Sequence, residues 1–208
     1  MTQTSAQIHP KRRRDAGATR AAIFEAATRR FACQGYQYAG VREIAADAGV
    51  NAAMVNRYFG SKEGLFAEVI EHAFDIRYLV EGDRATLAER LARKVVYGRE
   101  DIAGDQRIPL LLMLRSATEP RTADLIRASL ERNVLRPLAE CLDGADAEVR
   151  AAMVIAQCVG FSTLNKVLRT RAIVEAQQEE LMCLLKESLA TCIGRVPATA
   201  AGTMSDVS

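Results

Sequence analysis

The 208-residue chain is 49% hydrophobic and 26% charged, a composition typical of a globular protein with enough apolar material for packed cores. Its net charge of +2 conceals an asymmetry: residues 1–65 hold 10 basic and 5 acidic side chains, a net of +5, whereas the remainder holds 18 and 21, a net of −3. A basic first third predicts that one end meets a polyanion, and the longest apolar run, 108–114, is too short to span a membrane.

The first third of the chain predicts a basic arm followed by three short helices. Residues 1–17 are polar and carry the run Lys-Arg-Arg-Arg at 11–14, which predicts a flexible arm. Apolar residues at helical spacing then predict helices over 19–33, 41–48 and 51–58. The short gap between the last two of these helices requires a tight turn.

The residues of that turn indicate its geometry. Gly49 stands where the chain needs a positive φ to reverse, and Asn51 can cap the following helix. Ile44 and Ala45 lie on one helical face before the turn, and Phe59 is available to the same core after it. This layout is typical of a helix-turn-helix, whose second helix enters the major groove of DNA.

The segment 41–66 contains Arg-Glu-Ile-Ala, Ala-Gly-Val, Tyr-Phe and Ser-Lys-Glu in one order and spacing. This set resembles the tetracycline-repressor family of bacterial regulators. The resemblance extends back to about residue 19 through six further positions: Ile23, Ala26, Ala27, Phe31, Gly35 and Tyr36. It implies an all-α protein of about nine helices, with an N-terminal three-helix helix-turn-helix DNA-binding domain and a C-terminal helical domain for ligand binding and dimerisation.

The predicted domain boundaries follow from this resemblance. The DNA-binding domain occupies 18–65 and the ligand-binding and dimerisation domain 66–196, between the arm at 1–17 and a tail at 197–208 that is predicted to be disordered. The basic run in the arm has two open interpretations. It either follows DNA phosphates or enters the minor groove, or it is a solvated tail.

Candidate base-reading residues lie on the outward face of the third predicted helix. Asn can pair with adenine, Ala can contact a thymine methyl group, and Arg can read guanine or bind a phosphate. The candidates of these types are Asn51, Ala52, Ala53, Asn56 and Arg57.

Three further residues complete the candidate DNA-binding set. Arg42, near the start of the second predicted helix, is a candidate for a base or backbone contact. The resemblance implies phosphate contacts from Tyr58 and Lys62, and Lys62 also begins a helix, where anions are favoured. For two candidates an alternative stays open. Tyr58 could instead be a core ring with a solvated hydroxyl. Arg57 could instead be only a solvated surface charge.

The chain departs from the family pattern at two positions. Gly40 stands where a hydroxyl residue often caps the second helix, so a hydroxyl contact to phosphate is lost there. Asn56 stands where tyrosine is frequent, which implies a different set of bases. The architecture can therefore be carried over from the family, whereas an operator sequence cannot.

The rest of the chain predicts further helices, numbered from the fourth. A capped helix at 61–79 follows the helix-turn-helix, and a polar loop is expected at 98–107. Pro137 predicts a kink or an early stop in the helix that contains it. The other predicted helices are the fifth at 84–97, the sixth at 109–118, the seventh at 122–142, the eighth at 146–169 and the ninth at 173–193.

The eighth predicted helix is apolar around nearly its whole circumference. Such a helix must bury two faces, one in its own domain and one against a partner. Ala152, Ala156 and Gly160 permit close approach, so the eighth and ninth helices predict a four-helix homodimer interface, and two-fold symmetry then requires a palindromic operator. The alternative is a monomer in which this helix is fully buried.

A small apolar ligand of unknown identity is implied by the resemblance. Leu110, Leu111, Met113 and Leu114 are candidate walls. Arg115 and Asn165 are candidate polar anchors, although ordinary core packing explains the same apolar residues.

The sequence offers no catalytic constellation. It shows no Ser-His-Asp set and no Gly-rich phosphate loop, and its two histidines, His9 and His72, lie far apart, so neither an enzyme, a metal site nor a cofactor is predicted. Five cysteines without a Cys-x-x-Cys pair, and no signal peptide, predict reduced thiols in the cytoplasm. The leading hypothesis is a ligand-released transcriptional repressor, and the alternative is a ligand-independent DNA-binding adaptor such as a nucleoid or division factor.

Overall fold

The computed structural model describes residues 11–98 and 107–194, and all regular structure within them is helical, which confirms the all-α prediction. A 3-10 turn lies at Arg84–Thr86, and two π turns lie at Glu131–Leu135 and Thr163–Val167. The α-helices are α1 Lys11–Gln34, α2 Val41–Asp47, α3 Ala52–Phe59, α4 Lys62–Ala73, α5 Arg77–Val80, α6 Leu87–Val96, α7 Ile108–Ser116, α8 Pro120–Leu130, α9 Arg136–Glu140, α10 Ala147–Ser162, α11 Arg171–Val174 and α12 Gln178–Ile193.

The described residues form two compact units. The N-terminal unit comprises 11–73 together with 111–126, and the C-terminal unit comprises the other described residues. This division differs from the predicted boundary at residue 66 in two respects: all of α4 belongs to the N-terminal unit, and so does the segment 111–126, which we call the α7–α8 segment. The predicted tail and most of the predicted loop at 98–107 lie outside the described residues.

The turn between α2 and α3 has the geometry that its residues predict. Gly49 has φ +68°, and the Val50 N–H donates to the Ala45 carbonyl at 2.9 Å while the Gly49 N–H donates to Ala46, which together form a Schellman motif. Asn51 then caps α3, since its Oδ1 accepts the Ala53 N–H at 2.9 Å. These short-range bonds fix the direction in which α3 leaves the turn.

The start of α2 is capped without a hydroxyl side chain. Gly40 occupies the cap position in an extended conformation, and its N–H donates to the Glu43 carboxylate at 3.3 Å, which is half of a capping box. Arg30 of α1 pairs with the same Glu43 at 3.1 Å and with Asp47 at 2.5 Å. The hydrogen bond from Arg30 lowers the pKa of Asp47, and both ion pairs hold α2 against α1.

An aromatic cluster forms the centre of the N-terminal unit. The ring of Phe31 lies 5.1 Å from that of Phe66 and 5.9 Å from that of Tyr36, measured between centroids. Aliphatic residues of α1 to α4 complete the core. Buried members of this core include Ile23, Ala26, Ala27, Ile44, Ala45, Val55, Leu65, Val69 and Ile70.

The predicted flexible arm needs correction. α1 begins at Lys11, so the backbone of the basic run at 11–14 is helical, and residues 1–10 of the predicted arm lie outside the described residues. Arg and Ala are good helix formers, and the helix predicted to begin near residue 19 extends backwards through them.

The predicted fourth helix, 61–79, is also corrected, because α4 ends at Ala73 and α5 begins separately at Arg77. The carboxylate of Asp75 accepts the backbone N–H of Arg77 at 3.1 Å and pairs with its guanidinium group. Short aspartate side chains compete in this way with helical bonding and favour turns. The start of α4 matches the prediction, since Ser61 Oγ accepts the Gly64 N–H at 2.9 Å.

The early stop predicted at Pro137 is wrong, because the helix continues through it to Glu140. α8 passes into the π turn Glu131–Leu135 and continues as α9, with the N–H of Arg136 bonded to the carbonyl of Glu131. Proline lacks an N–H and crowds the carbonyl four residues earlier, and a wider turn relieves that crowding.

The C-terminal unit is built around α6, α10 and α12. α6 supplies six buried residues, and α10 and α12 supply the facing apolar positions. The core includes Leu87, Leu91, Ala92, Leu138, Ala151, Val154, Cys158, Leu185, Leu189 and Ile193. α10 and α12 correspond to the eighth and ninth predicted helices.

A buried arginine ties these helices together. Arg150 of α10 is only 5% exposed; its Nε donates to Asp146 at 2.9 Å, and its Nη1 donates to the carbonyl of Cys192 at 3.1 Å. It also donates to the carbonyl of Ile193 at 3.3 Å and to that of Asp143. The carbonyls at 192 and 193 end α12 and have no partner within that helix, so Arg150 caps it.

Burial makes one cysteine unreactive. Cys158 lies in this core, and burial raises the pKa of its thiol to about 12, whereas Cys33 is exposed. Since the thiolate is the nucleophile, maleimide is expected to label Cys33 quickly and Cys158 at least about 100 times more slowly until the protein unfolds. Peptide mass spectrometry of a labelling time course measures both rates; equal rates under native conditions would contradict the buried position of Cys158.

Candidate nucleic-acid interface

α3 presents one exposed face and one buried face. Ala53, Asn56 and Arg57 are exposed and follow the i, i+3, i+4 spacing of one helical side, whereas Val55 and Phe59 are buried on the other. The core therefore fixes the rotation of α3, and three of the five candidate base readers lie in one exposed row. Their role as base readers stays a prediction.

Asn51 and Ala52 fit the base-reading prediction less simply. Bidentate pairing with adenine needs the amide oxygen, and Oδ1 of Asn51 is already bonded to the N–H of Ala53 as the helix cap. The base contact predicted for Asn51 is therefore left to its side-chain amino group. Ala52 is half-buried, so less of its methyl group is available for a thymine contact.

Arg42 and Tyr58 flank this row in sequence. Arg42 is exposed near the start of α2, which agrees with a contact to a base or phosphate. Tyr58 is half-buried, so it is neither a core ring nor fully solvated. A half-buried tyrosine can hold its ring against the protein while its hydroxyl bonds to a phosphate.

Lys62 is held more firmly than an ordinary surface lysine. Its Nζ lies 4.4 Å from the centroid of the Tyr36 ring and 3.4 Å from the Gln37 carbonyl oxygen, to which it donates. Partial burial lowers the pKa of its ammonium group, and the charge of Glu119 opposes that effect. The remaining ammonium hydrogens can bond to a phosphate.

The sequence predicts no role at this surface for two of its neighbours. Tyr38 is 76% exposed in the loop before α2, and Tyr36 lies under the ammonium group of Lys62. An aromatic residue in a polar loop between Gly35 and Gly40 is the signal that identifies Tyr38. The contact between Tyr36 and Lys62 joins residues far apart in sequence and gives no local signal.

The residues predicted to form the ligand walls differ in their exposure to solvent. Leu110 is buried and Leu114 is 42% exposed, so these leucines do not share one environment. Of the candidate anchors, Arg115 belongs to the N-terminal unit and Asn165 to the C-terminal unit. Their role in ligand binding stays a prediction.

Two family models match the chain. Residues 16–69 match "Bacterial regulatory proteins, tetR family", and residues 85–193 match "Tetracyclin repressor-like, C-terminal domain". The second match alone covers more than half of the chain. Both describe a class of regulators, which is not enzymatic.

Individual proteins show the same relationship. "HTH-type transcriptional repressor SCO4008" of Streptomyces coelicolor is 47% identical over 58 residues, 28% of this chain and 30% of that protein. "HTH-type transcriptional repressor Rv3405c" of Mycobacterium tuberculosis is 35% identical over 111 residues, 49% of this chain and 59% of that protein. The matched regions thus span less than two thirds of either relative.

Solved structures share the fold. The TetR-family regulator SCO0857 of Streptomyces coelicolor has a TM-score of 0.57 at 23% identity, covering 91% of this chain and 100% of its own. NalD of Pseudomonas aeruginosa, the secondary repressor of the MexAB-OprM multidrug efflux pump, has a TM-score of 0.60 at 22% identity, covering 83% and 97%. With both family models matched, the chain belongs to the tetR family of bacterial regulatory proteins.

Proposed function

We propose that the protein is a homodimeric, DNA-binding transcriptional repressor that a small apolar ligand releases from a palindromic operator. The observation that carries the proposal is the exposed row of Ala53, Asn56 and Arg57 on a helix whose ends are capped and whose opposite face is buried. A single helix of this kind fits the major groove. Membership of a family of regulators, and relatives named as repressors, support it.

DNA recognition is tested first. Genomic immunoprecipitation or in vitro selection identifies the bound sequence, and titrations of that DNA compare Arg57→Ala, Lys62→Ala and the original protein. Arg57→Ala is expected to weaken binding about 5- to 100-fold and to relax the preference at one base pair. Lys62→Ala is expected to weaken binding to every sequence and to lower the slope of log affinity against log salt by about 1.

A matched control for these variants is Arg171→Ala. Arg171 is an exposed residue of α11 that pairs with Glu175 within its own turn of helix. It lies outside the proposed DNA-binding surface, so its loss is expected to leave affinity and salt slope unchanged. Weakening by the control, or unchanged binding by both Arg57→Ala and Lys62→Ala, would contradict the assigned surface.

The proposed dimer interface is an apolar stripe along α10. Val149 is 66% exposed and Met153 is 52% exposed. Ala152, Ala156 and Gly160 are exposed between and beyond them, and a Cβ atom added to Gly160 would meet nothing within 4 Å. Large apolar surfaces are rarely left to solvent, and small residues let a second helix approach closely.

Large exposed leucines also lie beyond the end of α10 and on α12. Leu168 is 63% exposed and Leu184 is 58% exposed. The span from 149 to 168 is about 28 Å long at the rise of an α-helix. This length suits a second copy of the same helix pair, and two-fold pairing would place two reading helices on successive turns of a palindromic operator.

A membrane is the other environment that such a helix suggests. Among the described residues, Ala147–Val167 is long and apolar enough to cross a bilayer by length and composition. Its inner side, however, packs in the core through Ala151 and Val154, and Arg150 is bonded there to the end of α12. A helix with one face in a protein core and a stripe of small residues on the other favours a protein partner over lipid.

Ligand control is the part of the proposal that separates it from the alternative adaptor function. A bound ligand would favour one position of α4 and so change the separation of the two copies of α3 in the dimer. α4 ends at Ala73, so the transmitting helix is shorter than the sequence predicts. Thermal-shift screening of apolar compounds, followed by operator release with each hit, tests it; an adaptor would show neither effect.

A further inference from the structure

Lys62 has its ammonium group already placed before any DNA is bound. A lysine side chain normally loses much rotamer freedom when its charge is fixed on a phosphate. In this protein the face of Tyr36 and the carbonyl of Gln37 hold Nζ, at 4.4 Å from the ring centroid and 3.4 Å from the oxygen. Part of that loss of freedom has therefore occurred in the unbound protein, which favours binding.

Tyr36 is in turn seated on the α7–α8 segment. Its backbone N–H donates to Ser116 Oγ at 3.3 Å, and Ser116 is only 2% exposed. The preceding Gly35 has φ +80°, and a Cβ atom there would lie 2.7 Å from the carbonyl oxygen of Arg115. Glycine is required at this close approach, so the backbone at 35–36 lies directly against the end of α7.

The turn that receives Tyr36 is itself fixed by hydrogen bonds. Thr122, 1% exposed, donates through Oγ1 to the carbonyl of Ser116 and to that of Glu119 at 3.2 Å. Glu119 Oε2 is buried and has no hydrogen-bond partner within the described residues. Burial raises the pKa of Tyr36, the charges of Glu63 and Glu119 add to that effect, and the charge of Arg121 opposes it. Burial lowers the pKa of Lys62, and the charge of Glu119 opposes that shift.

We propose that Tyr36 is the positioning residue for the phosphate-binding ammonium group of Lys62, and that the turn from Ser116 to Thr122 sets its place. The proposal rests on the phosphate contact proposed for Lys62. The negative charge of Glu119 near this anchor opposes the approach of a phosphate, because like charges repel. The α7–α8 segment thus acts on DNA affinity through Tyr36 and Lys62.

A double-mutant cycle in the full-length protein tests the position of Lys62. Tyr36→Leu removes the aromatic face but keeps apolar volume, and Tyr36→Phe keeps the face. Affinity for the selected operator and its salt slope are measured for each variant, with and without Lys62→Ala, and circular dichroism and thermal unfolding check the fold. Tyr36→Leu is expected to weaken binding about 5-fold and to lower the salt slope, whereas Tyr36→Phe stays within about 2-fold of the original protein.

The same variants in the Lys62→Ala background decide between a positioning and a merely structural role. Tyr36→Leu is expected to have no further effect there, since the group that it positions is gone. Equal weakening in both backgrounds, with an unchanged salt slope, would overturn the inference and leave Lys62 as a phosphate contact. Unchanged affinity and slope for Lys62→Ala itself would overturn the proposed contact and the inference together.

Glu119→Gln provides a second variant that keeps the shape of the side chain. Removing its charge is expected to tighten operator binding about 2-fold or more and to have no effect once Lys62 is alanine. Glu175→Gln, which changes an exposed glutamate in the C-terminal unit, is the matched control. Unchanged or weaker binding by Glu119→Gln would remove the charge of Glu119 from the mechanism, whereas the positioning role of Tyr36 is decided by the double-mutant cycle.

Discussion

Arg150→Met is expected to lower the free energy of unfolding by about 3 kcal/mol, because it removes the donor that four buried or partly buried bonds share. Methionine keeps much of the apolar stem but removes the guanidinium group, which leaves the carboxylate of Asp146 and the carbonyls of Asp143, Cys192 and Ile193 without it. A buried acceptor left without a partner costs about 1–3 kcal/mol. The Cys192 carbonyl at the end of α12 loses its cap, whereas the Ile193 carbonyl keeps the bond from Arg84.

Urea titrations at one fixed protein concentration measure this loss, since dimerisation would make stability depend on concentration. Arg84→Met is an informative comparison, because Arg84 also donates to the Ile193 carbonyl, at 3.0 Å, but is more exposed. Its loss is expected to be about 1 kcal/mol, and that of the exposed Arg171→Met near zero. A loss below about 1 kcal/mol for Arg150→Met would show that water replaces the arginine at the end of α12.

Ala156→Arg is expected to convert the protein to a monomer and to weaken operator binding about 100-fold or more. The substitution places a long charged side chain at the centre of the exposed stripe on α10, where a symmetry-related helix would bring the same charge opposite it. A protein that binds two half-sites at once gains about 100- to 10,000-fold from its bivalence, and a monomer loses that gain. Light scattering measures the oligomeric state, and operator titration measures the affinity.

Ala85→Arg is the matched control, because Ala85 is an exposed alanine of the 3-10 turn and lies on neither α10 nor α12. It is expected to leave both measurements unchanged. A monomeric original protein at micromolar concentration, or a dimeric Ala156→Arg variant, would rule out the stripe as the interface.

Short-range chemistry explains why α2 and α3 agree with the sequence prediction to within one residue. The hydrogen bonds around Gly49, Asn51 and Ser61 join residues two to five positions apart, so a short stretch of sequence is enough to predict these helix ends. The end of α4 and the passage across Pro137 were less predictable. In each case a side chain or a widened turn competes with regular helical bonding, and propensity does not decide between them.

The candidate interface also has a part that local sequence predicts and a part that it does not. The exposed row on α3 follows from helical spacing, and the structure places Ala53, Asn56 and Arg57 there. The support beneath Lys62 does not follow from spacing, because Tyr36 and Ser116 are 80 residues apart and meet only in the folded chain. No local pattern reports such a contact.

The N-terminal unit is built from two separate segments of the chain, which limits how hybrids of such regulators can be made. A hybrid made by joining residues 1–73 to the remainder of another regulator would lack the 111–126 segment on which Gly35 and Tyr36 rest. Its Gly35 would face a foreign backbone that has not been shaped to the same close approach. DNA specificity is therefore better exchanged by transplanting the exposed residues of α3 than by exchanging residues 1–73. Exchange of 1–73 requires that 111–126 be moved together with them.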